Sequence, residues 1–160
     1  MQIQYTISSE QDMIALGRSL LASGYKKFGL RGELGAGKTH FTKWVALGLW
    51  LDPDLVHSPT YVYFHEYNAP MPRCHDATML EQSTAAPQHC STVALLHVDM
   101  YRITDPFQIV KMWLEDKLSD YEYRAIEWPR EDFITQYEEL VMVDIEIVDQ
   151  YNRVVTVTSI

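Results

Sequence analysis

The chain has 160 residues, of which 47% are hydrophobic and 22% are charged. This length suits one ordinary domain, and no apolar run approaches the roughly 20 residues of a membrane-spanning helix, so we expect neither two independent cores nor a membrane protein. Thirteen Lys and Arg against 22 Asp and Glu give a formal charge of −9. This charge disfavours direct binding to a nucleic-acid backbone, because such binding depends on clustered basic residues.

The first half of the chain predicts two strand and helix pairs. Residues 3–7 resemble a short strand, and the serines that follow can cap a helix over 10–23, whose apolar residues recur at helical spacing. A buried strand over 27–30 leads into a glycine-rich loop, and a second helix is expected over 38–50. The N-terminal segment has neither the basic start nor the apolar stretch of a secretion signal, so we expect a cytoplasmic protein.

The second half predicts three strands and one more helix. The strands are expected over 60–67, 94–100 and 123–128, where β-branched, aromatic and aliphatic residues dominate. The helix is expected over 105–118, with Asp105 as its N-cap and a proline in the first turn.

Residues 140–148 and 153–160 are two further apolar or alternating segments, a pattern that predicts a C-terminal β-hairpin. The expected fold class is therefore α/β, a three-layer sandwich. Its sheet should be mixed and mainly parallel, and residues 1–160 should form a single domain.

Residues 68–92 form the least regular segment of the sequence, with three prolines and no clear period, and they predict a surface insertion. Two cysteines and two histidines within it, Cys74, His75, His89 and Cys90, would suit a tetrahedral zinc site by residue type. The usual Cys-x-x-Cys spacing is missing, so we favour a loop with free thiols.

Residues 32–39, "GELGAGKT", match the phosphate-binding pattern G-x-x-x-x-G-K-[ST]. In that pattern the glycines let backbone N–H groups turn towards phosphates, Lys38 reaches the terminal phosphates and Thr39 places its hydroxyl on Mg²⁺. Because the match follows a predicted strand and precedes a predicted helix, it predicts a nucleotide site and makes the expected three-layer sandwich one of the P-loop NTPase type. The residues expected to contact the nucleotide are Glu33, Leu34, Gly35, Ala36, Gly37, Lys38, Thr39 and His40.

A magnesium ion in such a site needs a carboxylate at the end of a neighbouring strand. Asp99, which ends the buried run "LLHVD", is the natural choice. Glu127 ends "YRAIE" in the same way, and it would either complete the metal shell, orient the attacking water or form a surface ion pair.

Four motifs together give the sequence a resemblance to the TsaE (YjeE) family of small bacterial P-loop ATPases, which take part in threonylcarbamoyladenosine modification of tRNA. They are "GELGAGKT" (32–39), "SPTY" (58–61), "HVDMYR" (97–102) and "IEWP" (126–129). The resemblance covers about residues 8–130. Two features depart from the family's pattern: the long segment 68–92, and Trp113 at a position where a glycine is common.

The resemblance implies ATP and Mg²⁺ as ligands, with Lys38, Asp99 and Glu127 as the catalytic residues and Thr39, Asp99 and Glu127 serving the metal. It also implies a switch-like loop near the terminal phosphate and a partner surface. The residues concerned are Ser58, Pro59 and Thr60 in the loop, and Tyr101, Arg102 and Trp128 near the metal or the partner, with Trp128 equally explicable as a structural aromatic residue.

The implied activity is slow ATP hydrolysis that controls binding to protein subunits of the threonylcarbamoyl-transferase complex, with tRNA reached only through those subunits. A small-molecule kinase that uses the same loop is the alternative. It is disfavoured because the seven arginines are scattered rather than gathered in a lid. A GTPase is also disfavoured, because the sequence has no Asn/Thr-Lys-x-Asp guanine motif.

Overall fold

The computed structural model describes residues 2–70, 92–105, 107–108, 113–134 and 139–159. Its seven strands form one sheet in the order β1-β7-β6-β2-β5-β4-β3. They are β1 (Gln2–Ile7), β2 (Lys27–Gly32), β3 (Phe64–Pro70), β4 (Thr92–Asp99), β5 (Tyr123–Glu127), β6 (Leu140–Ile147) and β7 (Arg153–Ser159).

The centre of the sheet is parallel and its edges are antiparallel. β2 pairs in parallel with both β6 and β5, and β5 pairs in parallel with β4. β3 lies antiparallel to β4 at one edge, while β7 and β1 add antiparallel strands at the other. The mixed α/β sheet with a C-terminal hairpin, β6 and β7, is confirmed.

The helices cover both faces of the sheet. They are α1 (Glu10–Ala22), α2 (Lys38–Gly48), α3 (Leu114–Asp120) and the single turn α4 (Glu131–Ile134), with a 3₁₀ turn at Pro53–Leu55. Among the described residues, no helix has the length and apolar character needed to cross a bilayer.

Alternating side chains of the strands divide the core between the two faces. On one face, Phe28 and Leu30 of β2 pack with α1 and α2, and the Phe28 ring meets Phe41 of α2 edge-on at 5.6 Å. On the other face, Leu96 and Val98 of β4 pack with α3. The carboxyl end of β2 is therefore held between two packed layers, and the glycine-rich loop leaves from it.

The strand predicted over 60–67 begins only at Phe64, so its first half was wrong. The chain turns there instead, because the amides of Val62 and Tyr63 both donate to the carbonyl of Pro59, at 3.0 and 2.7 Å. Tyr63 has a positive φ of 70°. The turn carries the segment of Ser58 to Thr60 towards the carboxyl ends of the parallel strands.

Two other boundaries differ from the predictions. The strand over 123–128 stops at Glu127, because Trp128 has a φ of 53° and leaves the extended conformation. The insertion predicted over 68–92 is wrong at its two ends, because residues 68–70 extend β3 and residue 92 starts β4. Its cysteines and histidines, Cys74, His75, His89 and Cys90, lie outside the described residues.

The single helix predicted over 105–118 is interrupted at Trp113. This residue has a left-handed φ of 54° and precedes α3, which begins at Leu114. The start of the prediction holds, since the Asp105 carboxylate accepts from the amide of Phe107 at 3.0 Å. A left-handed backbone position favours glycine, which gives a physical reason for the glycine expected at this position.

The conformation of Trp113 leads to a stability prediction. The side chain is 72% exposed, so replacing it removes little buried surface, whereas an L-residue in left-handed conformation costs about 1–2 kcal/mol. We expect Trp113→Gly to unfold at a higher urea concentration than Trp113→Ala, by about 1 kcal/mol in the free energy of unfolding. Equal or greater stability of the alanine variant would contradict the left-handed conformation.

Candidate functional site

The glycine-rich loop takes a shape that only glycines adopt without strain. Gly32, Gly35 and Gly37 have φ values of 145°, 81° and 114°. A side chain would also not fit at Gly32, because its Cβ atom would lie 2.4 Å from the carbonyl oxygen of Ile145. The first glycine of the motif is therefore required by its contact with β6 as well as by its backbone angle.

Helix α2 begins inside the loop and directs its N-terminus at the same space. Gly37 is its N-cap and provides no side-chain hydrogen bond. The first amides of an α-helix have no intrahelical acceptor, and together with the helix dipole they favour an anion at this end. The sequence thus builds an anion-binding N-terminus where the motif predicts phosphate.

Lys38 is almost completely buried, with 5% exposure. Its ammonium donates to the carbonyl oxygens of Gly32 and Glu33, both at 2.9 Å, and lies 4.2 Å from the centre of the Trp128 ring. Burial lowers the pKa of Lys38, and the nearby carboxylates of Glu127 and Asp99 raise it again. The loop carbonyls, the ring and the carboxylates together stabilise the buried cation.

The two predicted carboxylates end adjacent parallel strands. Asp99 of β4 and Glu127 of β5 are direct partners in the strand register, and they are only 2% and 3% exposed. The ladder continues past them, since the Met100 amide donates to the Glu127 carbonyl and the Trp128 amide donates to the Leu30 carbonyl, both at 2.9 Å. These backbone bonds fix both acids beside the loop.

Glu127 links the loop to the neighbouring strands. Its Oε1 atom accepts from the hydroxyl of Thr39 at 2.7 Å and lies 2.9 Å from Nε2 of His97. His97 has no exposed surface. The motif "HVDMYR" contains this histidine, but the sequence prediction gave it no role. Its position two residues before Asp99, on the same face of a strand, could have placed it in the site.

Asp99 holds the turn that precedes β3. The hydroxyl of Thr60 donates to its Oδ2 atom, and the Tyr101 amide donates to its Oδ1 atom at 2.8 Å. Since the proton of Thr60 is used by Asp99, the hydroxyl of Ser58, 2.7 Å away, is the donor to Thr60. The predicted switch loop is therefore connected directly to a predicted metal ligand.

These residues line a cavity of about 450 Å³, the phosphate cavity. Its rim is aromatic: the Tyr101 and Trp128 rings lie 5.3 Å apart, and the Arg102 guanidinium lies 4.3 Å from the centre of the Tyr61 ring. The lining residues are Leu34, Gly35, Gly37, Lys38, Thr39, His40, Ser58, Thr60, Tyr61, Asp99, Tyr101, Arg102, Glu127 and Trp128.

Most of the predicted site residues meet in this cavity, and three do not line it. Glu33 contributes its carbonyl to Lys38, Ala36 is buried against the core, and Pro59 closes the turn before β3. Tyr61 lines the cavity but was not among the predicted site residues. Its exposed ring in the motif "SPTY" was the signal for it.

A second cavity of about 400 Å³, the lateral cavity, shares Gly35, Gly37 and His40 with the phosphate cavity. Its other wall includes Ser8 and Ser9 before α1 and Tyr151 and Arg153 at the β6–β7 turn. Sequence reasoning missed this wall, because only the strand order brings the two ends of the chain beside the glycine-rich loop.

The donor set of the phosphate cavity fits a magnesium ion. Thr39, Asp99 and Glu127 offer hydroxyl and carboxylate oxygens, which Mg²⁺ prefers. In the part of the chain that the structure describes, no group of three or more His, Cys, Asp or Glu side chains is placed to hold a metal by itself. Mg²⁺ usually binds through one or two carboxylates together with phosphate oxygens and water, so the set is sufficient only with a phosphate ligand.

The strand, glycine-rich loop and helix, set in the parallel centre of the sheet with acids at the ends of β5 and β4, define the P-loop class of α/β folds. The model of the family described as "Threonylcarbamoyl adenosine biosynthesis protein TsaE" matches residues 7–155. The chain belongs to this family, which confirms the resemblance seen in its motifs.

Individual relatives agree with this membership. The tRNA threonylcarbamoyladenosine biosynthesis protein TsaE of Aquifex aeolicus is 29% identical over 154 residues, which cover 94% of this chain and 92% of the relative. The protein of the same description from Haemophilus influenzae is 26% identical over 78% of this chain and 65% of its own length. The crystal structure of YdiB from Bacillus subtilis has a TM-score of 0.61 at 21% identity, covering 99% of this chain and 86% of that one, which supports the fold.

The close approach of Gly32 to β6 gives a test of the loop geometry. Gly24 also has a positive φ, 88°, but a Cβ atom there would lie more than 4 Å from every atom of the described part of the chain outside its immediate neighbours. We expect Gly24→Ala to lower the free energy of unfolding by about 1–2 kcal/mol, and Gly32→Ala to lower it further because the added atom meets a carbonyl oxygen. Equal losses in urea unfolding would contradict the contact between the loop and Ile145.

Proposed function

We propose that residues 1–160 act as one ATPase domain that binds ATP with Mg²⁺, hydrolyses it slowly and supports the N6-threonylcarbamoyladenosine modification of tRNA through nucleotide-dependent binding of protein partners. The observation that carries the proposal is the convergence of the buried Lys38 with Asp99 and Glu127 in one cavity at the N-terminus of α2.

The phosphate cavity supports binding of a nucleoside triphosphate. The amides at the start of α2 would donate to the phosphate oxygens, and Lys38 would place a desolvated positive charge beside them. Burial lowers the pKa of Lys38, and the carbonyl oxygens of Gly32 and Glu33 hold its ammonium in a fixed direction. Phosphate oxygens would be stronger acceptors for it than the loop carbonyls it contacts.

Thr39, Asp99 and Glu127 would hold Mg²⁺, which acts as a Lewis acid on phosphoryl oxygens when bound. Of the chain's own groups, Lys38 offsets charge on the terminal phosphate and Glu127 stands where it can orient a water molecule. Arg102 contributes an arginine to the rim, but its guanidinium is stacked on Tyr61. An arginine already engaged with an aromatic ring suits an enzyme that is slow without a partner.

We assign the base and ribose of the nucleotide to the lateral cavity. It adjoins the same glycines as the phosphate cavity, so a nucleotide whose phosphates lie on the loop has its base within reach of it. Tyr151, which is 74% exposed at the β6–β7 turn, offers a ring for stacking.

The proposed role in tRNA modification rests on family membership. The proposal that protein partners, and not the chain itself, contact the tRNA rests on the charge of the chain. With a formal charge of −9, the chain lacks the basic excess that binding to a tRNA backbone requires. Protein subunits of the threonylcarbamoyl-transferase complex are the expected partners. The bond from Thr60 to Asp99 gives them a way to sense the nucleotide, because a change at the metal ligand moves the exposed turn.

The test is magnesium-dependent turnover of ATP and GTP by the purified chain, alone and with the transferase subunits. The proposal expects weak ATP turnover alone, a rise with the subunits and no phosphorylated metabolite. Partner-independent phosphate transfer to a metabolite hydroxyl would instead establish the small-molecule kinase.

Removing the charge of Asp99 tests the metal site. Asp99→Asn keeps an oxygen acceptor for Thr60 but lowers turnover in Mg²⁺ by about 100-fold or more, since the metal contributes several kcal/mol and each 1.36 kcal/mol is tenfold. ATP affinity measured in EDTA should stay unchanged. The matched control is Asp54→Asn, which removes the same charge from an exposed residue outside the cavity; an equal loss there would contradict the assignment.

A further inference from the structure

His97 is a buried polar residue that phosphate binding does not explain. Its side chain has no exposed surface, and its Nε2 atom lies 2.9 Å from Oε1 of Glu127. Its Nδ1 atom is buried and has no hydrogen-bond partner among the residues that the structure describes. An apolar residue would fill the same space without an unpaired nitrogen, so the histidine is costly unless the bond to Glu127 has a purpose.

The hydrogen bond fixes the tautomer of His97. An ionised carboxylate can only accept, so the proton must lie on Nε2 and the His97 ring is the donor. A proton on Nδ1 would leave a buried donor without an acceptor, which is the more expensive arrangement. The geometry therefore selects a ring with Nε2 protonated and Nδ1 bare.

Glu127 connects the oriented ring of His97 to the hydroxyl of Thr39. Its Oε1 atom accepts from both the His97 ring and the Thr39 hydroxyl, which holds the carboxylate in one orientation. Because the proton of Thr39 is directed at Glu127, the lone pairs of the hydroxyl are left to face a cation. His97, Glu127 and Thr39 thus form one chain of hydrogen bonds from β4 through β5 to the start of α2.

We propose that His97 is a positioning residue, which orients the Glu127 carboxylate and through it the Thr39 hydroxyl for the divalent cation of the bound nucleotide. The inference rests on the proposed function, since it assumes a metal-nucleotide complex. Partners of this kind behind a metal ligand typically contribute 10- to 100-fold in metal affinity. His97 itself touches neither the metal nor the phosphates.

The test compares His97→Phe with His97→Gln. Phenylalanine fills the space and cannot donate, whereas the glutamine amide can donate from a position close to that of Nε2. With a nonhydrolysable ATP analogue and Mn²⁺ followed by electron paramagnetic resonance, His97→Phe should weaken metal binding about 10- to 100-fold. His97→Gln should restore most of the affinity, and the affinity for the analogue in EDTA should be the same in all three proteins.

Leu96→Ala is the control for lost stability. Leu96 is fully buried on the same strand but packs on the opposite face of the sheet, so its truncation destabilises the core without touching Glu127. It should leave Mn²⁺ affinity unchanged. If Leu96→Ala weakens Mn²⁺ binding as much as His97→Phe, or if His97→Phe binds like the wild type, the positioning role is wrong.

Two further results keep the inference separate from the proposed function. If the wild-type chain fails to bind the Mn²⁺ complex of the analogue, the proposed function is wrong and the role of His97 falls with it. In the ligand-free wild type, ¹⁵N NMR of the histidine rings should show a protonated Nε2 and a bare Nδ1 for His97. The opposite tautomer would overturn the inference whatever the variants do.

Discussion

The buried charge of Lys38 is the constraint on which the rest of the site depends. An ammonium with 5% exposure is stable only with close partners, and the chain provides them from three directions. Carbonyl oxygens of the loop accept hydrogen bonds from the ammonium, and the Trp128 ring lies against it. The carboxylates at the ends of β4 and β5 raise the pKa of Lys38, which opposes the effect of burial. The curled loop and the strained Trp128 are both parts of this arrangement.

The register of the strands brings residues that are distant in the sequence into one site. Asp99 and Glu127 are opposite each other only because β4 and β5 pair in parallel with this register, and the Trp128 amide bond to Leu30 ties the same strand end to the loop. Hydrogen bonds then connect the two acids to the rest of the site, Glu127 to Thr39 and Asp99 to Thr60. The exposed turn and the two buried carboxylates are thereby one connected unit.

Local patterns predicted the parts of the site that local chemistry determines. The glycine-rich loop, the helix after it and the two strand-end acids follow from spacing and apolar runs, and the structure brings them together. Three features were not predicted, and only the last of them depends on residues distant in the sequence: the turn at Pro59, the break at Trp113 and the lateral cavity. The turn depends on bonds to one carbonyl, the break on a left-handed backbone, and the cavity on edge strands joining opposite ends of the chain.

Calorimetric titration with ATP and Mg²⁺ tests whether Lys38 binds the phosphates of a nucleotide, as proposed. Wild-type chain should bind ATP saturably, and Lys38→Ala should bind about 10- to 100-fold more weakly, since hydrogen bonds to charged groups contribute about 1.5–3 kcal/mol. Lys43→Ala, which removes the same charge from α2 outside the cavity, should bind like the wild type. Equal ATP affinity in the wild type and Lys38→Ala would contradict the account.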